Sequence, residues 1–400
     1  MSLVVTLDGR NITSSVLEAT SKHTLGKPYE ATIKFPVEYN FNAIGKLLKI
    51  EDSALPLNTL DHHGRVMIAS DNDDENHGYT ECTSFGPDEI WAWRPARDGA
   101  ASLTPGNFSK PSFITRNVTG PAIMQEILTQ SADGSDPAVG EGSMLLALGS
   151  FAAGGSDLSG APTNWPMSIA QIRALLQDTG ELDVIVTPID SGGNIGQVDC
   201  YNGNYGTDRS GSVKFEYETG LNNVRLIRRT QDLTNACTKL QYFLGPKIDD
   251  QHWRANITGT DERAEIDGGP PGGIAPGTPA GPPMSTVLAA RAAGRAAYGV
   301  RMDIRIYDTF QNESDAKPLW WRLWLVEQLL RSAPRTIVHV TPIRGLLPGF
   351  DIGDIVGVGS GSTFRGGFAT GGQRVYGRTI SWDTEGVAAL SEIQTSADNV

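Results

Sequence analysis

The first hundred or so residues of this chain alternate apolar and polar side chains, and that period of two is what most limits the folds open to it. Leu3, Val5 and Leu7 alternate with polar neighbours before a turn at Asp8-Gly9-Arg10. Tyr29, Ala31, Ile33 and Phe35 then alternate with Glu30, Thr32 and Lys34, which is the pattern of a strand with one buried face. Arg65 to Ser70 and Thr80 to Phe85 continue it across the polar loop Asp71 to Gly78. From Arg335 onward strands return at Thr336–Thr341, Ile352–Val358, Gln373–Asp383 and Val387–Gln394. Short strands with turn residues between them predict a small barrel or sandwich at each end. Gly (46) and Pro (23) supply those turns, and at about a sixth of the chain they fall short of a disordered composition.

The middle changes period. Thr119 is placed to cap a helix, Pro121 suits its first turn, and Ile123, Met124, Ile127 and Leu128 form a stripe at helical spacing. A Gly/Ser/Ala-rich stretch from Ser131 to Pro166 is expected to be a surface loop or a partner-contacting insertion. Ser168 caps a second helix with Ile169, Ile172, Leu175 and Leu176 on one face, and Gly180 ends it. Strands are expected at Leu182–Thr187, Gln197–Tyr201, Val213–Tyr217, Asn223–Arg228 and Leu240–Leu244, with a turn at Ser191-Gly-Gly-Asn194. Asp267 to Pro283 is too rich in Gly and Pro for a helix or a central strand and is expected to be a linker or exposed loop. An Ala-rich helix from Ser285 to about Tyr298 with Gly299 as its stop, a strand at Val300–Tyr307 and a Trp-rich helix from Pro318 to Ser332 complete the region.

Chemistry is sparsely signalled. Asp61-His62-His63 and the loop Asp71 to His77 bring carboxylates and imidazoles together. A calcium loop counted from Asp71 needs Gly and Glu where Asn76 and Cys82 stand. Adjacent histidines on a strand point to opposite faces, so no metal site is expected. Gly357-Val-Gly-Ser-Gly-Ser362 lacks the helix that a phosphate-cradling loop requires directly after it, and is expected to be a turn or flexible loop. The six histidines form no zinc-hydrolase motif, and the 46 carboxylates carry no local glycosidase signature, that chemistry depending on spatial separation alone. No catalytic, cofactor-binding or metal-binding residue is therefore expected. Trp320, Trp321, Leu323, Trp324, Leu325, Leu329 and Leu330 make an apolar helix that could rest on a membrane or a partner. With only Arg322 and Arg331 for charge, packing on a sheet or at a subunit interface is the expectation.

Composition bounds the rest. A net charge of −13 gives no electrostatic reason to grip nucleic acid, whereas an acidic wall would leave DNA free to slide. Cys82, Cys200 and Cys237 are far apart and predict buried free thiols of a reducing cytoplasm. The opening residues do not have the form of a signal peptide, and no apolar run reaches the length of a membrane span. The Asn-x-Ser/Thr triplets at Asn11, Asn107, Asn117, Asn256 and Asn312 are accordingly expected to be chance matches.

The order of elements carries a resemblance. Val5–Thr13 (VTLDGRNIT) precedes the strand Tyr29–Phe35. The helix and strand of Ile169–Pro188 and the strands of Ser212–Thr230 follow, and Pro348–Val358 (PGFDIGDIVGV) feeds a strand-rich tail. Over nearly the whole chain this resembles the tail-tip (baseplate) hub proteins of long-tailed bacteriophages, most closely at Pro348–Val358. Arg outnumbers Lys 23 to 10, which fits an actinobacteriophage minor tail protein. The resemblance implies a homotrimeric ring in which two barrels per subunit match the sixfold tail tube.

The expected fold class is thus mainly β with α+β insertions: two small β-barrel tube domains plus one or two α+β domains. The expected segments are an N-terminal barrel at 1–115, an α+β domain at 116–247, an insertion domain at 248–334 and a C-terminal barrel at 335–400. The expected function is structural and not enzymatic. The ring would close the tail tube, adapt sixfold to threefold symmetry and wall a DNA channel lined with acidic residues. Its expected partners are the distal tail or tail tube protein, the tape-measure protein and other tail-tip or fibre proteins. DNA would pass without specific binding, no stable membrane insertion is expected, and the chain would be assembled in the host cytoplasm into the tail tip of the virion. The alternatives are a tail-associated cell-wall hydrolase and a monomeric receptor- or carbohydrate-binding tail protein, the latter predicting exposed aromatics such as Trp91 and Trp93.

Overall fold

The computed structural model describes residues 2–36, 43–72, 78–94, 119–132, 145–156, 158, 168–203, 205–218, 220–247, 253–256, 282–307, 318–343, 347, 349–360 and 371–396. The alternating N-terminal segments form β1 (Leu3–Leu7), β2 (Arg10–Asn11), β3 (Glu18–Thr24), β4 (Glu30–Pro36), β5 (Leu47–Asp52), β6 (Leu60–Asn72) and β7 (Tyr79–Phe85). They pair in the order β3-β4-β7-β6-β5-β1-β2. The C-terminal segments form β16 (Arg335–Pro342), β17 (Ile355–Ser360), β18 (Gly371–Trp382) and β19 (Ala388–Ser396). Two further strands, β11 (Lys214–Tyr217) and β12 (Val224–Asp232), join them: β12 pairs antiparallel with β16, and β11 pairs parallel with β17. From the sequence both had been grouped with the central α+β region.

The two ends do not stand as separate sheets. β3 pairs antiparallel with β18, Ala19 opposite Trp382 through Thr24 opposite Gly377, and fuses both sets into one sheet of 13 strands among the described residues. One face buries a single contiguous core: Val5, Ile33, Phe35, Leu48, Ile50 and Cys82 from the first half meet Phe215, Val340, Val356, Ile380 and Trp382 from the second. The Trp382 indole donates to the Asp52 carboxylate at 2.8 Å, 330 residues away in sequence. Among the described residues no ladder closes either half into a barrel. In the second half the Asn223 side chain brings the first strands together, donating to Lys214 O at 2.7 Å and accepting from Glu216 N at 2.9 Å.

The Gly357–Ser362 expectation is corrected in part. Gly357 to Ser360 are strand, because β17 is hydrogen-bonded along both edges and the two ladders fix a backbone that glycine alone leaves free. Residues 361–370 lie outside the described residues.

The middle of the chain builds a second core. α1 (Gly120–Ala132) and α2 (Ile169–Gln177) contact a sheet of β8 (Leu146–Phe151), β10 (Asn194–Tyr201) and β9 (Asp183–Ser191). The predicted stripe of Ile123, Met124, Ile127 and Leu128 is buried, as are Ile169, Ile172, Leu175 and Leu176. Ser168 and Gln171 form a reciprocal capping box on α2. β8 falls inside the stretch expected to be a loop: its short Leu-Ala-Leu run pairs parallel with β10 and satisfies the backbone there. The remainder of Ser131–Pro166 is only partly described. A second three-stranded sheet, β14 (Trp253–Asn256), β13 (Lys239–Lys247) and β15 (Met302–Tyr307), carries α3 (Met284–Tyr298) and α4 (Pro318–Arg331). On α4, Leu323, Trp324, Leu325 and Val326 are buried, and Trp324 donates to Leu240 O at 3.0 Å, so this helix packs on protein. The side chains of Trp320 and Trp321 lie outside the described residues, as does nearly all of Asp267–Pro283. No helix among the described residues is long and apolar enough to cross a membrane.

β9 braces the large sheet from the face opposite its core. Asp190 accepts from Lys49 of β5 at 2.7 Å, and Ile189 O lies 2.7 Å from His63 Nδ1 of β6. At its other end Asp183 accepts from Arg374 of β18 at 2.6 Å. One short strand therefore touches both halves.

Candidate functional site: the polar face of the large sheet

Strand alternation that sends Ala19, Ala31, Ile33 and Cys82 into the core sends their neighbours to the other face. Across the seam between the halves the ladder registers place Ile68, Thr83, Thr32, Thr20 and Ser381 side by side. The Thr32 and Thr83 hydroxyls are 3.3 Å apart, and Ser381 donates to Ser391 at 3.2 Å. Flanking this hydroxyl row, Lys34 pairs with Glu18 at 2.9 Å and with Glu81 at 3.8 Å, and His339 Nδ1 lies 2.5 Å from a Glu392 carboxylate oxygen. The hydrogen bond to Glu18 raises the Lys34 ammonium above its usual range despite slight desolvation. Lys22 opposite Glu30 extends the alternation of sign. This face is hydroxyl-rich and of mixed charge. Such a surface offers water many partners and concentrates no single sign of charge.

Beneath the seam lies a buried polar cluster. His23 of β3 has its Nε2 2.9 Å from Asp61 O and 3.6 Å from the Asp61 carboxylate, which also accepts from Arg378 of β18 at 3.2 Å. Burial works to raise the Asp61 carboxyl, but His23 and Arg378 outweigh it and hold the group well below the usual carboxylate range. Tyr29 stacks on His23 at 5.5 Å and donates to His63 O at 2.8 Å. His62 sits fully buried with Nε2 2.8 Å from Ser84 Oγ. Desolvation, with His23 alongside, pushes its imidazole down to about 3, so it is neutral.

The structure thus separates the adjacent histidines, His62 to Ser84 within the core and His63 to the β9 brace. Among the described residues no group of three or more His, Cys, Asp or Glu could hold a metal. Asp71 accepts from Thr80 in the β6–β7 pair, and residues 73–77 lie outside the described residues. Ser84 and His62 have the spacing of a nucleophile and its base, but both are wholly buried and no substrate reaches them. Cys82, Cys200 and Cys237 are free and buried as expected.

Of the two tryptophans that a receptor-binding tail protein would expose, Trp93 is 73% exposed. Trp91 is buried, against that alternative, with the Arg173 guanidinium 5.1 Å over its ring and Asp88 paired to Arg173 at 2.8 Å. Sequence reasoning missed the polar face because its residues are individually ordinary; only the register aligns them. The alternation of Thr20, Lys22, Thr32 and Lys34 was the available signal.

No family model and no curated protein matches the chain. Among solved structures it is similar to the 43 kDa tail protein of prophage MuSo2 from Shewanella oneidensis, at 12% identity and a TM-score of 0.56 over 98% of each chain. It is likewise similar to the tail protein from Neisseria meningitidis MC58, at 9% identity and a TM-score of 0.57 over 100% of this chain and 97% of that one. The chain has the fold of these tail proteins.

Proposed function

We propose that this chain is a structural subunit of a bacteriophage tail tip, a hub whose three copies close the end of the tail tube. The observation that carries the reading is the seam: two strand sets of similar size lie edge to edge in one sheet. Each half then serves as one barrel-like tube unit, and three copies present six units to a sixfold tube. In terms of the chain, 1–115 and 335–400 supply most of the two tube units. Segments 116–247 and 248–334 lie between them, and β11 and β12 return from the first of these to the sheet. The open polar face lines the channel, where paired charges and hydroxyls let DNA pass without being gripped. The partners on this reading are the tail tube or distal tail protein, the tape-measure protein and other tail-tip or fibre proteins, with assembly in the host cytoplasm. The excess of Arg over Lys fits an actinobacteriophage source.

An image of the tail with the chain labelled tests this. Density for three copies around the axis at the distal end of the tube is the expected result, and a single copy at the side of the tail sinks the proposal. A cell-wall hydrolase would instead clear host peptidoglycan in a zymogram, a result the buried Ser84–His62 pair gives no route to.

A further inference from the structure

β12 ends the large sheet, and its composition stands apart from the chain around it. Over Val224–Asp232 it carries Arg225, Arg228 and Arg229 against a single carboxylate, Asp232 at its end, within a chain of net charge −13. Arg225 and Arg228 are exposed. Beside them Leu226 is 54% exposed, Leu221 58% and Ile343 45%. Leu226 lies opposite Thr341, and Ile343 N bonds to Asn223 O, so Leu226 and Ile343 occupy the same end of the β12–β16 pair. β16 is the only ladder partner of β12 among the described residues.

Arginine on an edge strand commonly guards it against unwanted pairing. A guard is set among polar residues. Here the arginines flank three exposed large apolar side chains, the composition of an interface with an apolar centre and a basic rim. The far end of the same sheet is treated differently. Val5 N is taken by Thr13 Oγ1 and Val5 O by Ile12 N, so the edge of β1 is occupied from within the chain.

We infer that the β12 edge docks against a carboxylate-rich surface of a second copy of this chain. The occupant follows from charge: a strand with three arginines against one carboxylate, Asp232, is complementary to a molecule carrying 46 carboxylates against 33 basic residues. This rests on the ring reading and names the surface by which one copy meets the next.

The test uses the full chain. Sedimentation velocity compares it with the R225E/R228E variant at about 0.05 and 0.5 M NaCl, circular dichroism checking that the variant folds. Self-association at low salt that weakens at least tenfold both in high salt and in the variant supports the inference. Equal association by both proteins overturns it and leaves the ring reading intact. A second variant, Leu226→Cys, carries a benzophenone maleimide, the native thiols being buried. Photocrosslinking in assembled tails, from mixed light and ¹⁵N-labelled chains, covers a chain that associates only among its neighbours. A crosslink between light and heavy copies supports the inference. A crosslink only to a different protein, or only within one copy, overturns it, while the labelled-tail image still decides the ring.

Discussion

A buried charge is tolerable only when answered, and Asp88 and Arg173 answer each other where the turn after β7 meets α2. Burial raises the Asp88 carboxyl even with Arg173 beside it, which marks how much that site disfavours an unpaired charge. Arg173→Met strands Asp88 and removes the cation from the Trp91 ring. A loss of about 3–5 kcal/mol of unfolding free energy in urea is expected, most of it recovered when Asp88→Leu is added. A single-variant loss near that of a surface pair, under about 1 kcal/mol, would show that the pair contributes little. His62 makes a second case. Its folded value of about 3 lies below the ordinary 6.5, so the unfolded chain takes up its proton first. Its contribution to stability is complete above pH 6.5 and is lost as pH falls towards 3, by about 1.4 kcal/mol for each unit. His62→Gln, which can still bond Ser84, should flatten the dependence of the urea midpoint on pH below 6.5. An unchanged slope would refute the assignment.

Elements were legible where a local signal exists. The stripes of α1 and α2 and the Ser168 cap announced both helices; Ser168→Ala should cost about 1 kcal/mol, read from the shift in thermal midpoint. The turn at Ser191–Asn194 was equally plain, Gly192 and Gly193 both taking positive φ. β3 was not legible, because its inward positions are Ala19, Ser21 and His23 and show no apolar alternation. β8 was masked by small residues, and the end of β17 beyond Val358 by its glycine, strands fixed by partners far off in sequence. Packing of loop on loop was similarly invisible: Gly206, at φ +110, sits where a Cβ would lie 2.1 Å from Gly353 O. Gly206→Ala combines that clash with strain of about 1–3 kcal/mol, and should unfold at a lower urea concentration than wild type. The candidate face was legible as alternation but not as a surface, since register between remote strands leaves no trace in either segment alone.

At the scale of the whole molecule, one core spans both halves of the sheet and the β9 brace holds both from the opposite face. The seam should therefore open only with the rest. In native-state hydrogen exchange, the amides of Ala19–His23 and Arg378–Trp382 are expected to share the highest protection of the chain. Seam amides that exchange well ahead of β4 and β19 would mean that the halves are independent units.

Joining β3 to β18 also sets a clock on the molecule's birth. A ribosome adding about 5–20 residues per second needs tens of seconds to cross the 330 positions between Asp52 and Trp382. Through that interval the nascent first half waits with β3 unmated and its hydrophobic side open. A polypeptide cut short before β18 therefore never completes the sheet, and translation to within a few residues of the end is the condition for a closed core.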